Sequence, residues 1–534
     1  MENKDVYLFS VLNVKVNQMA TSSIPHSIKY RSKESFIRIV SLSFFLLSFC
    51  FQSSSGQGSE HRSKHPNILI CITDDQSWIH TSFAGEKAIS TLAFDWVASE
   101  GLYFSNAFSA SPSSSPSRGA MITGQEMWRL GEAAQLFSAV PKELEALSFP
   151  LLLEKKGYFT GFTQKGWAPN NFHQYGWDHN PFGFIYNLQE LQAPTHGIVS
   201  NNYARNFKLF LDLCSEDEPF LFWFGSSEPH RPFEVNSGAS LGADIEQVVV
   251  PGFLPDVPEV RGDVADYLGE IKWVDQQLLQ MIATLEEKEL LDNTIIIVTS
   301  DNGMAFPSAK NNLYEYGIHM PLAIYWKEGI KNGGRVIDDL VSLTDIAPTL
   351  LEIGEAKVPN EMTGKSLMKI FNSSKSGKIE KGRRYVFAGK ERHTLCREGD
   401  VGYPQRSVRD YQYLFIRNYE PDRWPAGSPD TPSIHGFLYG DIDESPSKSY
   451  LKLNSYDPKV KPFFDKAMAK RPAEELYDII KDPACLQNLA DNPEYAGVKK
   501  KLTGVLDKYL VKTADPRALT GESLWDQFPY HFNK

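Results

Sequence analysis

Cysteine is scarce in this chain: five in 534 residues, at positions 50, 71, 214, 396 and 485. Spacing that wide excludes a cysteine-based metal motif and gives no disulfide framework. A surplus of positive charge is also missing, with 55 Lys and Arg against 66 Asp and Glu and a formal net charge of −11. A general nucleic-acid binder needs a basic surface, so that class is set aside. A polyanionic substrate is not, because a local cationic pocket can outweigh the average charge. No internal repeat is present, and no apolar run is long enough for an integral membrane segment. The longest such run, Ile39 to Phe51, follows Lys29, Arg31, Lys33 and Arg38 and precedes the small polar stretch Ser53 to Gly58. That is the order of a secretory signal peptide, with Met19 as an alternative start. A lipoprotein reading through Cys50 is disfavoured because Phe49 stands where a small residue is needed. Residues 1–57 are therefore expected to be a signal peptide and N-terminal extension. The product would be exported: periplasmic or secreted, or lysosomal in a eukaryote.

What remains reads as an ordinary globular protein, 42% hydrophobic and 23% charged, and too long for a single small core. From His65 to Asn372, short apolar strands alternate with longer helical patterns, which predicts an α/β fold with a largely parallel sheet. Asn67–Thr73 (NILICIT) and Thr294–Ser300 (TIIIVTS) are continuous β-branched runs, as expected of strands buried on both faces, and Phe220–Phe224 is a third. Val264, Leu268, Ile271, Val274, Leu278, Met281, Ile282 and Leu285 recur at helical spacing and predict one buried stripe. Ser373 to Lys378 is polar and serves as a boundary. The expected organisation is thus a catalytic domain over 58–372, a linker over 373–378 and a smaller C-terminal α+β subdomain over 379–534.

The most informative string is Ser114-Ser115-Pro116-Ser117-Arg118-Gly119-Ala120-Met121-Ile122-Thr123-Gly124. Pro116 ends the preceding strand, and Ser117 is expected to cap a helix beginning at Arg118. Ser114 then sits at a helix N-terminus, where N–H groups and the dipole favour an anion. Six serines fall between positions 109 and 117, and such clusters are usually flexible linkers, but only Ser114 has Pro at +2 and Arg at +4.

Two strand ends add oxygen ligands: Asp74-Asp75 after the first strand and Asp301-Asn302-Gly303 after the one at Thr294. Ligands of open α/β sheets bind beyond the carboxyl ends of strands. Four oxygen-bearing side chains there suit a hard cation such as Ca²⁺ or Mg²⁺. Either pair alone would more often be a turn or a helix cap. Lys165, His230 (in Glu228-Pro229-His230-Arg231-Pro232) and Lys310 lie in loops after strands. A lone Lys is usually a solvated charge, and a lone His a satisfied loop residue.

These motifs together resemble the type I sulfatases, whose signature is Cys or Ser-x-Pro-Ser-Arg followed by Thr-Gly. Gly157 to Lys165, Pro229-His230, Lys310 to Glu315 and the C-terminal Glu475-Leu476-Tyr477-Asp478 are similar to further family segments. The Ser300-to-Tyr314 stretch most resembles heparan N-sulfatase and its bacterial polysaccharide-acting relatives. The resemblance implies an alkaline-phosphatase-like mixed, mostly parallel sheet flanked by helices. It implies that Asp74, Asp75, Asp301 and Asn302 bind Ca²⁺, with residue 114 completing the shell, and that a maturation enzyme oxidises Ser114 to Cα-formylglycine (3-oxoalanine). The hydrated aldehyde would attack sulfur, Lys165 and Lys310 would hold sulfate oxygens, His230 would protonate the leaving oxygen, and Arg118 would position the diol. The implied substrate is a sulfated carbohydrate, heparan-type or algal such as ulvan. Arg392 and His393 would reach over the pocket to read a sugar carboxylate or a neighbouring sulfate; a structural ion-pair cluster is the alternative. One departure stands out: Trp167 occupies the place of a second family histidine. Two rival readings stay open, a phosphate- or phosphonate-ester hydrolase of the same fold and a non-catalytic secreted carbohydrate-binding protein.

Overall fold

The computed structural model describes residues 65–521 and 523–532; the expected export segment 1–57 lies outside them. In chain order the strands are β1 (Asn67–Thr73), β2 (Leu102–Phe104), β3 (Ala107–Phe108), β4 (Phe159–Gln164), β5 (Phe184–Ile185), β6 (Phe220–Gly225), β7 (Thr294–Ser300) and β8 (His319–Met320). They continue as β9 (Leu322–Tyr325), β10 (Arg335–Ile337), β11 (Val341–Ser342), β12 (Val386–Lys390), β13 (Gln405–Arg409), β14 (Tyr413–Asn418) and β15 (Glu474–Asp478). Eight of them form the main sheet in the order β10-β2-β9-β7-β1-β6-β4-β5. Every pairing in it is parallel except those of β9, which runs against β2 and β7. Strands β3, β8 and β11 make a small second sheet, and β12 to β15 make a four-stranded antiparallel one.

The middles of β1, β6 and β7 are largely apolar because both faces are covered. Ile68, Ile70 and Ile72 of β1 pack with Leu221, Trp223, Ile295 and Ile297 on one side. Leu69 and Cys71 pack with Phe222, Phe224, Ile296 and Val298 on the other. That alternation is the two-residue period of a strand. The long Pro258–Glu287 helix opens on a proline, which needs no N–H at that position, and buries the expected stripe. Its second half, Val274 to Leu285, lies against the β1–β7 face. Its first half, Val260 to Ile271, belongs to a separate core with Phe253, Met304 and Phe306. In the C-terminal part Leu502, Leu506 and Leu510 of the Ala496–Lys512 helix share a core with Val408, Phe415 and Leu476 of the antiparallel sheet. The 373–378 segment is fastened to β10: Gly377 bridges Ile337, and Arg335 Nη1 donates to Lys375 O at 2.6 Å. No helix among the described residues is long and apolar enough to cross a membrane.

Candidate active site

Strands β7, β1, β6 and β4 are neighbours and parallel, so their carboxyl ends lie side by side. Thr73 is level with Ser300, and Gln164 with Gly225. The segments that follow these strands bring Asp74-Asp75, Asp301-Asn302, Glu228 to His230 and Lys165 to one edge. The turn off β1 is tight: Asp75 has φ of 76°, a left-handed backbone uncommon outside glycine, which lets its N–H donate to Asp301 Oδ1 at 3.2 Å. Asp74 N donates to Glu228 O at 3.1 Å, joining the β1 and β6 ends.

Ser114 enters from the side, as the first residue of the Ser114–Thr123 helix. The expected start at Arg118 is therefore corrected by one turn. Extended Ser113 (φ −153°, ψ 152°) precedes the helix, and Pro116 sits within the first turn, where N–H groups have no intrahelical partner. Ser117, freed from capping, donates its hydroxyl to Asp301 O. All ten residues of this helix are buried, and its approach to Trp167 is close enough that only glycine fits at 119: an added Cβ would lie 2.6 Å from the indole. Trp167 is itself fully buried and donates Nε1 to Ser115 O at 3.1 Å. The tryptophan thus holds up the helix start from beneath.

The Ser114 hydroxyl lies 3.1 Å from Asp74 Oδ1 and 3.2 Å from Asn302 Oδ1. The Asn302 amide is oriented by donating Nδ2 to Asp75 Oδ1 at 2.6 Å and to Gly303 O at 3.1 Å, so its oxygen faces Ser114. One hydroxyl proton therefore faces two acceptors. Asp74, Asp75, Asp301 and Asn302 are all fully buried.

Cations ring this acidic centre. Arg118, fully buried, donates Nε to Asp301 Oδ2 at 2.8 Å and Nη1 to the carbonyls of Lys165 and Gly166 at 3.3 Å each, and its Nη2 lies 4.0 Å from Asp74 Oδ2. Lys165 donates to Asp74 Oδ2, and Lys310 to Asp75 Oδ2 at 2.7 Å. Burial alone would raise Asp74, but Lys165, then His230 and Arg118, hold it well below the usual carboxylate range. Asp75 is pushed up to about 7, first by burial, against the pull of Lys310 and with Asp74 adding to the rise. Asp301 is pushed up to about 6 by burial and then by Asp74, against Arg118. His230 Nδ1 lies 2.6 Å from Arg231 O, which fixes its proton there and leaves Nε2 bare, 3.9 Å from Asp75 Oδ2. Burial, then Lys310 and Lys165, lower this histidine to about 4, so the imidazole is neutral near pH 7.

His393 and Arg392 go separate ways. His393 is buried with Nδ1 3.4 Å from Asp441 Oδ1, beside the Lys310 end of the site. Arg392 Nη2 is spent on Gln135 Oε1 at 3.0 Å and Phe528 O at 2.7 Å, and its neighbour Glu391 pairs with Arg406 and Arg517. Sequence reasoning overlooked Asp443, whose Oδ2 accepts from Lys310 Nζ at 3.1 Å. Its only signal was the acidic run Asp441-Ile442-Asp443-Glu444 in an otherwise irregular stretch.

Residues 66–356 match the sulfatase family, and 308–425 match the family described as N-sulphoglucosamine sulphohydrolase, C-terminal. N-sulphoglucosamine sulphohydrolase of Homo sapiens is 27% identical over 494 residues, 85% of this chain and 92% of that protein. An ulvan-active sulfatase of Formosa agariphila is 26% identical over 453 residues, 82% of this chain and 79% of that one. A solved structure described as a complex with its substrate D-glucosamine-2-N,6-O-disulfate shares the fold, with a TM-score of 0.60 at 20% identity over 86% of this chain and 100% of that one. The family match takes in every strand of the main sheet and more than half of the chain. The chain therefore belongs to the sulfatase family, as a type I sulfatase of the subgroup that holds these relatives, and hydrolyses sulfate esters.

Proposed function

We propose that this sulfatase removes sulfate from a sulfated polysaccharide or its oligosaccharides, heparan-type or algal, after export and after a maturation enzyme oxidises Ser114 to Cα-formylglycine, and that it depends on Ca²⁺. The names of the relatives support the substrate class. The observation that carries the reading is the Ser114 hydroxyl held between Asp74 Oδ1 and Asn302 Oδ1. A serine has one proton for these two acceptors, whereas a hydrated aldehyde has two hydroxyls to give. The donor set also fits a hard divalent cation: three buried carboxylates and a carboxamide, all oxygen, with two of the carboxylates raised by burial and by the neighbouring charge of Asp74. Asp74, Asp75, Asp301 and Asn302 would hold it. When present, the hydrated aldehyde supplies the attacking oxygen and Ca²⁺ the charge that activates it.

The chain's own residues do the rest. Lys165, with its side chain 26% exposed, and Lys310 present ammonium groups that neutralise sulfate oxygens as charge builds in the transition state. Arg118, sealed from solvent, keeps Asp301 and Asp74 in place. His230 Nε2 faces the site without a proton; a bound sulfate anion raises its affinity for one, which the half-exposed ring takes from solvent and passes to the leaving oxygen. Peptide mass spectrometry of the matured protein should show residue 114 lacking two hydrogens. Ser114→Ala should leave the unfolding temperature unchanged and release no sulfate from heparan- or ulvan-type oligosaccharides; an active variant would overturn the mechanism.

A further inference from the structure

Lys310 sits between two carboxylates of different origin. Asp75 is fully buried in the strand-end cluster, whereas Asp443 comes from the C-terminal part and its side chain is 30% exposed. The segment that carries Asp443 is fixed from several sides. Buried Asp441 takes Arg397 Nη2 and the Thr394 N–H (3.3 Å), with Lys390 Nζ at 3.7 Å. Asn311 Nδ2 donates to Asp441 O at 3.4 Å and Lys448 Nζ to Ile442 O at 2.8 Å. Asp443 thus stands at a set position beside Lys310. Its Oδ2 is given to Lys310, and its Oδ1 makes no hydrogen bond among the described residues.

A half-buried carboxylate with one oxygen left over needs a reason. Lys310 Nζ is shared between Asp75 Oδ2 at 2.7 Å and Asp443 Oδ2 at 3.1 Å, so Asp443 commits only one of its two oxygens to the pair. Beside a group that holds sulfate, it also lowers the local attraction for the anion. A side chain with a free acceptor oxygen can instead read a donor on the substrate. We propose that Asp443 is a specificity-determining residue: Oδ1 accepts a hydrogen bond from a hydroxyl or ammonium next to the scissile sulfate, and its charge rejects a carboxylate or second sulfate at that place. The ligand class is a sulfate ester with a neighbouring hydrogen-bond donor. The assignment rests on the proposed sulfate-holding role of Lys310.

The test is binding of two small sulfates by calorimetry, to calcium-loaded Ser114→Ala protein so that no turnover intervenes. Catechol monosulfate carries a hydroxyl beside the sulfate, and salicylate sulfate a carboxylate. The first should bind on the order of tenfold tighter, and Asp443→Asn in the same background should bring the two within about twofold. An unchanged ratio in Asp443→Asn, an equal loss for both compounds, or binding of neither overturns the proposal. An equal loss would instead make Asp443 a positioning residue for Lys310. Sulfate release from oligosaccharides by the matured enzyme reports separately on the polysaccharide reading, so a protein inert on sugars but discriminating between the two aryl sulfates refutes that reading alone.

Discussion

Calcium affinity should collapse on mild acidification, because two of the proposed ligands must lose protons to serve. In the metal-free protein Asp75 sits at about 7 and Asp301 at about 6, raised first by burial in both cases. Each proton displaced below its pKa costs a decade of affinity per pH unit, ~1.4 kcal/mol. Between pH 8 and pH 5, Asp75 accounts for about two decades and Asp301 for about one, so the dissociation constant should rise by about a thousandfold. Stability carries the matching sign. Both acids are raised from an ordinary value of 3.8, so what they contribute to the metal-free fold is complete below that value and lost as pH rises through 6 and 7. Asp74 is depressed, and its contribution is lost only on strong acidification. Calcium should therefore raise the unfolding temperature far more at pH 8 than at pH 5. Calorimetric titration in two buffers of different ionisation enthalpy would count the protons released. An affinity that stays level across this range, or binding without proton release near pH 6, would refute the reasoning.

Arg118→Met should destabilise the metal-free protein by about 3–5 kcal/mol, since Asp301 loses its buried partner at 2.8 Å. Denaturant titration should show that loss shrinking when calcium is added. Trp167→Ala removes a fully buried indole and its bond to Ser115 O, and should cost about 3–5 kcal/mol in the same assay. Glu270 is fully buried with neither carboxylate oxygen hydrogen-bonded, and burial, with Glu228 adding, pushes it up to about 9. Wild-type stability should therefore decline as pH rises towards 9, and Glu270→Gln should flatten that decline in thermal unfolding measured across pH 5 to about 9.

The strands that carry the site were the easiest part to read. NILICIT and TIIIVTS are buried on both faces, so every residue between their ends is apolar or β-branched and the run announces its own limits. The acids that follow them were legible for the same reason, because a polar pair has to appear where such a strand emerges. The start of the Ser114 helix was misjudged: a proline three residues into a helix breaks nothing, so its presence says little about the boundary. Trp167 looked like a substitution within the site, yet it is core, a distinction set by depth that motif alignment does not carry. Asp443 had no periodic pattern around it, and it meets Lys310 only because the chain folds back over more than a hundred residues. Arg392 and His393 are adjacent in sequence but turn opposite ways, one to the C-terminal tail and one towards Asp441.

Ser114 is only 6% exposed, and the helix it begins is buried at every residue. A second protein cannot grasp that stretch of backbone in the finished fold without prising the helix from Trp167 and Asp301. On the proposed reading, oxidation has to come first and folding second. Time, and not affinity, then governs how much active enzyme a cell obtains: a chain that folds before it is oxidised is trapped intact and inert. Fast folding would be a liability here, and refolding unmodified protein in a test tube should yield a stable molecule with no activity.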